Sequence, residues 1–151
     1  GRPVLFHSGW LALSPRTRKI PMNNLRPMEI DFIARNFPDL RIIIAHFGNP
    51  WWDEAACVVS HHPHVYADLS GGAPKRSMLF WKEMFAPNGK PDTKLLSKLL
   101  WASDHGYLGA EFDSFECVRF YNDLLDVCQA PGEIRERIFR QNAIEIFGLK
   151  P

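Results

Sequence analysis

Three titratable side chains each stand where a short apolar run gives way to turn-forming residues. His7 follows the run 4–6, His46 follows the run 42–45, and Asp104 closes the segment that begins near residue 99. Imidazole and carboxylate groups are the ligands that zinc and similar divalent ions take in proteins. A carboxylate at such an ion can also accept a proton from bound water. The three residues therefore predict a divalent-metal site with a proton acceptor beside it, provided that the fold brings them together.

The run 42–45 indicates how one of these side chains is positioned. It is rich in β-branched residues and too short for a helix, which is typical of a strand covered on both faces. Gly48, Asn49 and Pro50 then turn the chain, and Asp53 begins a helical pattern with an acid in its first turn. His46 is thus predicted at the carboxyl end of a buried strand, where α/β folds bind ligands.

The remaining chain alternates between strand and helix patterns. Predicted strands begin near residues 3, 41, 64 and 99, and helices are predicted over 27–36, 51–61, 75–86, 112–128, 131–140 and 142–149. The strand starts lie about 32 residues apart on average, against about 31 for each unit of a (β/α)8 barrel. This spacing favours a single partial domain over residues 1–151, with parallel strands and flanking helices that form half of a TIM barrel. An open four-stranded sheet is the alternative.

Strand alternation predicts which residues share a face with these histidines. If His7 faces the inside of a barrel, Leu5 faces it too. If His46 does, Ile42 and Ile44 follow. Each polar residue is then the last inward position of its strand, above a layer of apolar side chains.

Further residues near the strand ends are candidates for substrate binding. Trp10, Trp51 and Trp52 follow strand ends and are expected to line a pocket or to pack over helix ends. Ser70 closes the third strand with the same parity as Asp68 and is a candidate substrate contact. The sequence therefore places Trp10, Trp51 and Ser70 around the predicted site.

Histidines outside the three strand ends are given other roles. The tract 61–64 contains three histidines but precedes a strand, so we expect a solvated loop at the opposite end of the sheet. His105, beside Asp104, is a candidate supporting residue. Cys57, Cys117 and Cys128 form no CxxC pair and are expected to be reduced thiols of a cytosolic protein.

Composition excludes several classes of function. Hydrophobic residues make up 46% of the 151 residues and charged residues 23%, and 18 basic against 17 acidic side chains leave a net charge of +1. Because no basic run stands out, we expect no nucleic-acid partner. No apolar stretch approaches the ~20 residues of a membrane span, and no signal peptide is evident, so a cytoplasmic location without a membrane partner is predicted.

Five short motifs, in order along the chain, resemble the amidohydrolase-related family of metal-dependent TIM-barrel enzymes. They are Pro3-x-x-x-His7-x-Gly9, Phe37-Pro38-x-Leu40-x-Ile42 with Ala45-His46-x-Gly48, Tyr66-Ala67-Asp68-Leu69-Ser70-Gly71, Ala102-Ser103-Asp104, and Asn142-Ala143-x-x-x-Phe147-Gly148-Leu149. The resemblance implies that the chain corresponds to the carboxyl-terminal half of the barrel, strands five to eight.

The resemblance also implies roles for the three strand-end residues. His7 matches a metal ligand on the fifth strand. His46 matches a sixth-strand histidine, which is a ligand in two-metal members and an acid/base or carbonyl-polarising residue in one-metal members. Asp104 matches the eighth-strand aspartate that binds metal and activates water. The implied cofactor is a divalent metal, zinc, and His46 and Asp104 are the implied catalytic residues.

The family's first strand carries a His-x-His pair of metal ligands, and no predicted strand here ends in such a pair. We therefore expect either a homo-oligomer or a missing amino-terminal half to complete the barrel. The implied activity is hydrolysis of a small carboxylate, amide or lactone substrate. Non-oxidative decarboxylation of an aromatic or unsaturated carboxylic acid is an alternative, and a non-catalytic half-barrel that acts through association is a third.

Overall fold

The structure of the chain is a computed structural model, and it describes residues 1–104 and 114–150. The described residues contain a four-stranded sheet whose strands are all parallel and adjacent in chain order, so each strand lies beside the next one along the sequence. The strands are β1 (Val4–Phe6), β2 (Ile42–Ile44), β3 (Val65–Asp68) and β4 (Leu99–Leu100). The predicted parallel α/β architecture is confirmed.

Helices occupy the connections between the strands and follow the last one. They are α1 (Met28–Asn36), α2 (Trp52–His61), α3 (Met78–Phe85), α4 (Thr93–Leu96), α5 (Ser114–Val127), α6 (Gly132–Glu136) and α7 (Asn142–Phe147), with a π-helical segment at Arg137–Gln141 and short 3-10 turns at Met22–Leu25, Ala45–Gly48, Ala73–Lys75 and Pro87–Gly89. Side-chain caps begin α3 at Ser77 and α4 at Asp92. No described helix has the length and apolar character needed to cross a membrane.

The two faces of the sheet are packed differently. One face, which includes Ile42, Ile44 and Leu99, joins the large core formed with the helices. The other face holds a small cluster around Ile43 and Leu100, closed by Ile146 of α7. At β1 this second face is open, because Leu5 is 61% exposed. The second face is therefore the side of the sheet that the described residues cover least.

A buried tyrosine joins two strands behind the carboxyl end of the sheet. The Tyr121 hydroxyl accepts a hydrogen bond from the Leu69 N–H at 2.7 Å and donates to the Leu100 carbonyl at 2.8 Å. Burial raises the pKa of Tyr121 well above its ordinary value, so the hydroxyl stays neutral and keeps its proton for Leu100. This bridge from α5 fixes the level at which β3 and β4 end.

Asn142 has a comparable role at the other end of β4. Its amide nitrogen donates to the carbonyls of Ser97 and Leu99, at 2.8 and 2.7 Å, and the residue is fully buried. The Trp101 N–H bonds the Ile138 carbonyl of the π-helical segment. The carboxyl-terminal motif around Asn142 thus attaches the last helices to β4.

Two expectations from the sequence, one on strand facing and one on strand length, are corrected by the structure. The predicted parity of His46 was wrong, because Ile42 and Ile44 pack against the helices while Ile43 faces the second face. The strand ends at Ile44, and His46 lies in the turn after it, where alternation no longer applies. The fourth strand is also shorter than predicted, since β4 ends at Leu100.

Candidate active site

His46 lies in a turn with unusual backbone geometry at the carboxyl end of β2. His46 and Phe47 have φ angles of 59° and 46°, in the left-handed region that non-glycine residues seldom adopt. Such conformations cost of order 1–3 kcal/mol each and persist only where surrounding contacts hold them. Phe47 is fully buried against Trp81 and Phe85. The buried phenylalanine thus anchors a strained turn that carries the imidazole.

The contacts that hold His46 come from the end of β3. The Asp68 carboxylate oxygen Oδ1 accepts hydrogen bonds from the His46 N–H at 3.0 Å and from the Ser70 N–H at 2.9 Å. The Ser70 hydroxyl also donates to that oxygen, and the Ser70 Oγ lies 2.8 Å from His46 Nδ1. Asp68 and Ser70 are both buried. Backbone and ring of His46 are therefore held by one buried acid and one serine.

Gly71 completes the pocket around this ring. Its φ angle is +66°, and a Cβ atom built there would lie 2.9 Å from His46 Nδ1. A side chain would be strained by the backbone angle and would press on the imidazole. Glycine is thus required for both reasons at this position.

His7, one strand away, faces His46. The two ring centroids are 5.0 Å apart, with the rings edge to face at 69°. Burial and the neighbouring His46 imidazole lower the pKa of His7, while a hydrogen bond with the Trp10 backbone and the carboxylates of Asp104 and Asp68 act in the opposite direction. Two imidazoles and two carboxylates therefore lie within electrostatic range of one another at the carboxyl end of the sheet.

The segment after His7 is fastened to the same end of the sheet. The Ser8 hydroxyl and the Gly9 N–H both donate to the Leu25 carbonyl, at 3.0 and 2.8 Å. The two ends of the segment from Gly9 to Leu25 therefore lie next to each other. Gly9 approaches the Asn49 backbone so closely that a Cβ would lie 2.2 Å from its carbonyl oxygen. The long loop after β1 is thus closed at its base beside the two histidines.

Comparison with known proteins agrees with this arrangement. The family model for amidohydrolases matches residues 1–149. The chain belongs to the amidohydrolase family. No curated protein matches this amidohydrolase chain.

A solved structure has a similar fold. It is the crystal structure of a probable 2-pyrone-4,6-dicarboxylic acid hydrolase from Acinetobacter baumannii with citric acid bound, and it matches with a TM-score of 0.57 at 14% sequence identity. The alignment covers 98% of this amidohydrolase chain and 64% of that one, so our chain spans less than two thirds of that protein's length. At this identity the likeness concerns the fold.

The metal expected for an amidohydrolase was tested against the donor groups present. Within residues 1–104 and 114–150, no group of three or more His, Cys, Asp or Glu side chains is arranged to hold a metal ion. His7 and Asp104 would give two ligands, whereas protein zinc sites have three or four. The described part of the chain therefore does not by itself fit a complete zinc site.

Asp104 differs from the histidines in its local setting. It is exposed, has a φ angle of 58°, and lies four residues beyond the end of β4. Its charge nevertheless acts on His7, as expected for a member of the same site. His105, the candidate supporting residue next to it, lies outside the described residues.

The tryptophans predicted near the site have three different environments. Trp10 is 62% exposed beside His7, and the Trp51 ring lies 5.3 Å from the Arg26 guanidinium, which pairs with Glu54. Trp52 is instead buried against Phe80 and Trp81. Trp10 and Trp51 remain candidates for substrate binding, and Trp52 is a core residue.

The histidine tract at the opposite end of the sheet is not the solvated loop we expected. His62 is buried, and its Nε2 lies 2.7 Å from the Asp31 carboxylate of α1. Lys98 donates to the carbonyls of Val59 and His62 and so caps the end of α2. The tract therefore joins α1, α2 and β4. The three cysteines form no disulfide within the described residues, and Cys57 is exposed while the other two are buried.

Sequence reasoning missed the role of Asp68. We used this residue only to assign the facing of β3, although a buried acid within an apolar strand is itself informative. The substrate contact predicted for Ser70 remains a prediction. In the structure its hydroxyl bonds Asp68 and His46.

Proposed function

We propose that this chain carries the active-site end of an amidohydrolase-type hydrolase that cleaves a C–O or C–N bond next to a carbonyl group. The observation that carries the proposal is the meeting of His7 and His46 at the carboxyl ends of adjacent parallel strands, with Asp68 and Asp104 in electrostatic range. Family membership supports the same class of reaction. His46, held beside the open end of the sheet, is the residue best placed to move a proton.

We further propose that His7 and Asp104 are part of a zinc site that another segment completes. Two donors are too few for zinc on their own, and structural and catalytic zinc sites take three or four protein ligands. Metal content of the purified protein, measured alongside its mass in solution, tests the proposal: stoichiometric zinc in an oligomer supports completion by a second copy.

The shortage of metal ligands and the open face of the sheet bear on the fold of the complete protein. We propose that the four strands are half of a (β/α)8 barrel, completed by a second copy or by an amino-terminal half. The exposed Leu5 on the second face of the sheet and the 64% coverage of the solved hydrolase support this. Because an unpaired parallel strand offers free backbone groups, the outer strands are ready to pair. A metal-free monomer without activity would favour the non-catalytic association role.

The charge near the site suggests a carboxylate-bearing substrate. Residues 1–28 contain no Asp or Glu, and the exposed Arg16, Arg18 and Lys19 lie in the loop that is closed at Ser8 and Leu25. Cations near a site raise the local concentration of anionic ligands. The solved hydrolase is named for a dicarboxylic acid and has citric acid bound. We propose a lactone, ester or amide that carries a carboxylate.

Citrate binding tests the anion preference directly. The triple variant R16Q/R18Q/K19Q is expected to bind citrate at least tenfold more weakly in calorimetry, because three cations near the loop are lost. The variant K90Q/K94Q/K150Q removes the same charge from exposed positions elsewhere and is the matched control. Equal weakening in both variants would mean that net charge, rather than this loop, attracts the anion.

Turnover is tested with a panel of carboxylate-bearing lactones and N-acyl amino acids, using the longest natural form of the protein with added zinc. Proton release and product analysis report hydrolysis, and a parallel assay of carbon dioxide reports decarboxylation. We expect hydrolysis by the wild type and at least a 100-fold loss in Asp104→Asn. Carbon dioxide release without hydrolysis would replace the proposed reaction with decarboxylation.

A further inference from the structure

The contacts around Ser70 determine where the proton on His46 resides. We propose that Asp68 and Ser70 are positioning residues that hold neutral His46 with its proton on Nδ1 and its lone pair on Nε2. The hydrogen-bond donors and acceptors of three linked groups, Asp68, Ser70 and His46, require this tautomer. Its role in catalysis rests on the proposed function, but the tautomer itself does not.

The buried Asp68 carboxylate accepts the hydrogen bonds at one end of this chain of groups. Asp68 Oδ1 receives the backbone N–H groups of His46 and Ser70, at 3.0 and 2.9 Å, and the hydroxyl proton of Ser70. An ionised carboxylate is an acceptor only, with about four lone-pair sites on its two oxygens. Asp68 is 4% exposed, so these three donors stand in for most of the water it has lost.

The Ser70 hydroxyl has one proton and can donate only one hydrogen bond. Because that proton is directed to Asp68, the Ser70 oxygen has only lone pairs to offer His46. His46 Nδ1 lies 2.8 Å from this oxygen, so the hydrogen bond needs a proton on Nδ1. In a neutral imidazole the other nitrogen, Nε2, is then the acceptor.

The opposite arrangement is disfavoured by the same geometry. If Ser70 donated to Nδ1, its oxygen would face the Asp68 oxygen at hydrogen-bond range with no proton between them. Two acceptors at that distance in a buried site repel, and Asp68 would lose one of its three donors. The cost of a buried, incompletely satisfied carboxylate therefore selects the Nδ1–H form.

The backbone makes the selection robust against ring rotation. The His46 N–H bonds the same Asp68 oxygen, and Gly71 leaves no room between its Cα and the imidazole. A half-turn of the ring about its Cβ–Cγ bond would put carbon Cδ2 where Nδ1 now meets Ser70, and the hydrogen bond with Ser70 would be lost. With this left-handed φ, the backbone N–H of His46 bonds Asp68 while its ring bonds Ser70.

A lone pair on Nε2 is what the proposed hydrolase needs from His46. A general base must present an unprotonated nitrogen. A partner hydrogen bond on Nδ1 is the usual way to fix which nitrogen is presented. Neither Asp68 nor Ser70 touches the reacting atoms in the proposed reaction. They act through His46.

The tautomer is measured by nitrogen NMR of the 151-residue chain labelled with ¹⁵N-histidine, near pH 8.5 where imidazoles are neutral. His46→Gln identifies the His46 signals. We expect a protonated-type shift for Nδ1 and a lone-pair-type shift for Nε2 in the wild type. The reverse assignment in the wild type overturns the inference, whether or not the protein hydrolyses any substrate.

Variants test whether Ser70 is the determinant. Ser70→Ala removes the acceptor and is expected to shift His46 toward the Nε2–H form, whereas Ser70→Thr keeps a hydroxyl and should retain the wild-type signals. Ser8→Ala, which removes another buried hydroxyl beside the site, is the matched control and should leave His46 unchanged. An unchanged tautomer in Ser70→Ala also overturns the assignment. If that variant fails to fold, the wild type and Ser70→Thr still decide.

Turnover gives a second readout for the positioning role. In an active form of the protein, Ser70→Ala should lower kcat by about 10–100-fold, the usual loss when the partner of a functional histidine is removed. KM should change little, because Ser70 is buried; a rise in KM with kcat unchanged would instead support the predicted substrate contact of Ser70 and overturn the positioning role. Restoration of kcat by Ser70→Thr would separate positioning of His46 from a general loss of structure.

Discussion

Both ends of the sheet carry histidines, but the two ends use them differently. At the amino end, His62 is buried against Asp31, and Lys98 binds the last carbonyls of α2. At the carboxyl end, His7 and His46 face one another. The first set connects helices to the sheet. The second set brings titratable groups of adjacent strands together.

The difference lies in what each imidazole faces. The Nε2 of His62 is taken up by a carboxylate of the fold. For His46, Nδ1 is taken up by Ser70, and the proposed tautomer keeps the Nε2 lone pair for a ligand. The backbone agrees with this division, because the strained φ angles near these histidines occur at His46 and Phe47. Strain of this kind is characteristic of functional sites.

The largest effect should come from substituting one histidine at each end of the sheet, because His46→Ala should lose activity and His62→Ala should lose stability. His46→Ala is expected to lower turnover by about 10²–10⁴-fold, the usual contribution of a general acid or base, with metal content near wild type. His62→Ala should leave turnover within about twofold while lowering Tm, because it breaks the contact with Asp31. Steady-state kinetics, metal analysis and thermal unfolding of both variants measure this. Loss of metal in His46→Ala would contradict the one-metal assignment of His46.

A smaller effect should separate crowding of His46 from backbone strain. Gly71→Ala places a methyl group 2.9 Å from His46 Nδ1 at a φ of +66°, whereas Gly89→Ala adds the same group at +75° with nothing within 4 Å. Both should lose about 1–2 kcal/mol through the left-handed alanine. Only Gly71→Ala should lower turnover, by up to about 100-fold, since small misplacements of a reacting group are costly. Equal turnover in the two variants would mean that the ring tolerates the methyl group.

The tyrosine bridge should matter for stability alone. Tyr121→Phe leaves the Leu69 N–H and the Leu100 carbonyl without their buried partner, and we expect a loss of about 1–3 kcal/mol in urea unfolding. Tyr66→Phe, which removes a hydroxyl from the other face of the sheet, is the control. A Tyr121→Phe protein as stable as Tyr66→Phe would show that neither backbone group depends on the hydroxyl.

The sequence predicted the regular part of the fold because its causes are local. The apolar run from Ile42 gave β2 within one residue, and the amphipathic patterns gave α1, α2 and α5 within a few residues. Parallel pairing followed from helices between strands. The positions of His7 and His46 at the carboxyl end followed in turn.

The turn at His46 had no such local cause. Histidine is enriched among the few non-glycine residues with positive φ, but phenylalanine is not, so local preference did not predict two such residues in succession at His46 and Phe47. The conformation depends on burial of Phe47 and on the Asp68 carboxylate, which is 22 residues away in sequence. The sequence prediction applied strand alternation as far as His46, although β2 ends at Ile44, and the predicted facing of Ile42 and Ile44 was therefore wrong. Tertiary contacts decided the site where local preference opposed it.

The smallest predicted effect appears only in acid and concerns the amino end. Hydrogen bonds from Arg35 and then His62 lower the pKa of Asp31 from 3.8 to about 2. Because the unfolded chain binds this proton more readily, the ionised carboxylate stabilises the fold above about pH 4, and this contribution is lost as pH falls toward 2. Tm measured from pH 6 to pH 2.5 should therefore show Asp31→Asn below wild type at pH 6 and converging with it in acid.

The partners of Asp31 can be ranked in the same series. Arg35→Gln removes the larger of the two influences on the pKa of Asp31, so the acid-dependent part of the stability should be smaller in this variant, and complete at a higher pH, than in His62→Ala. A constant Tm difference between Asp31→Asn and wild type across the range would mean that the carboxylate is held no better in the folded chain than in the unfolded one. The contact between Asp31 and His62 would then stabilise the fold through packing rather than through the charge of the carboxylate. Only the histidines at the carboxyl end would then depend on their charged neighbours.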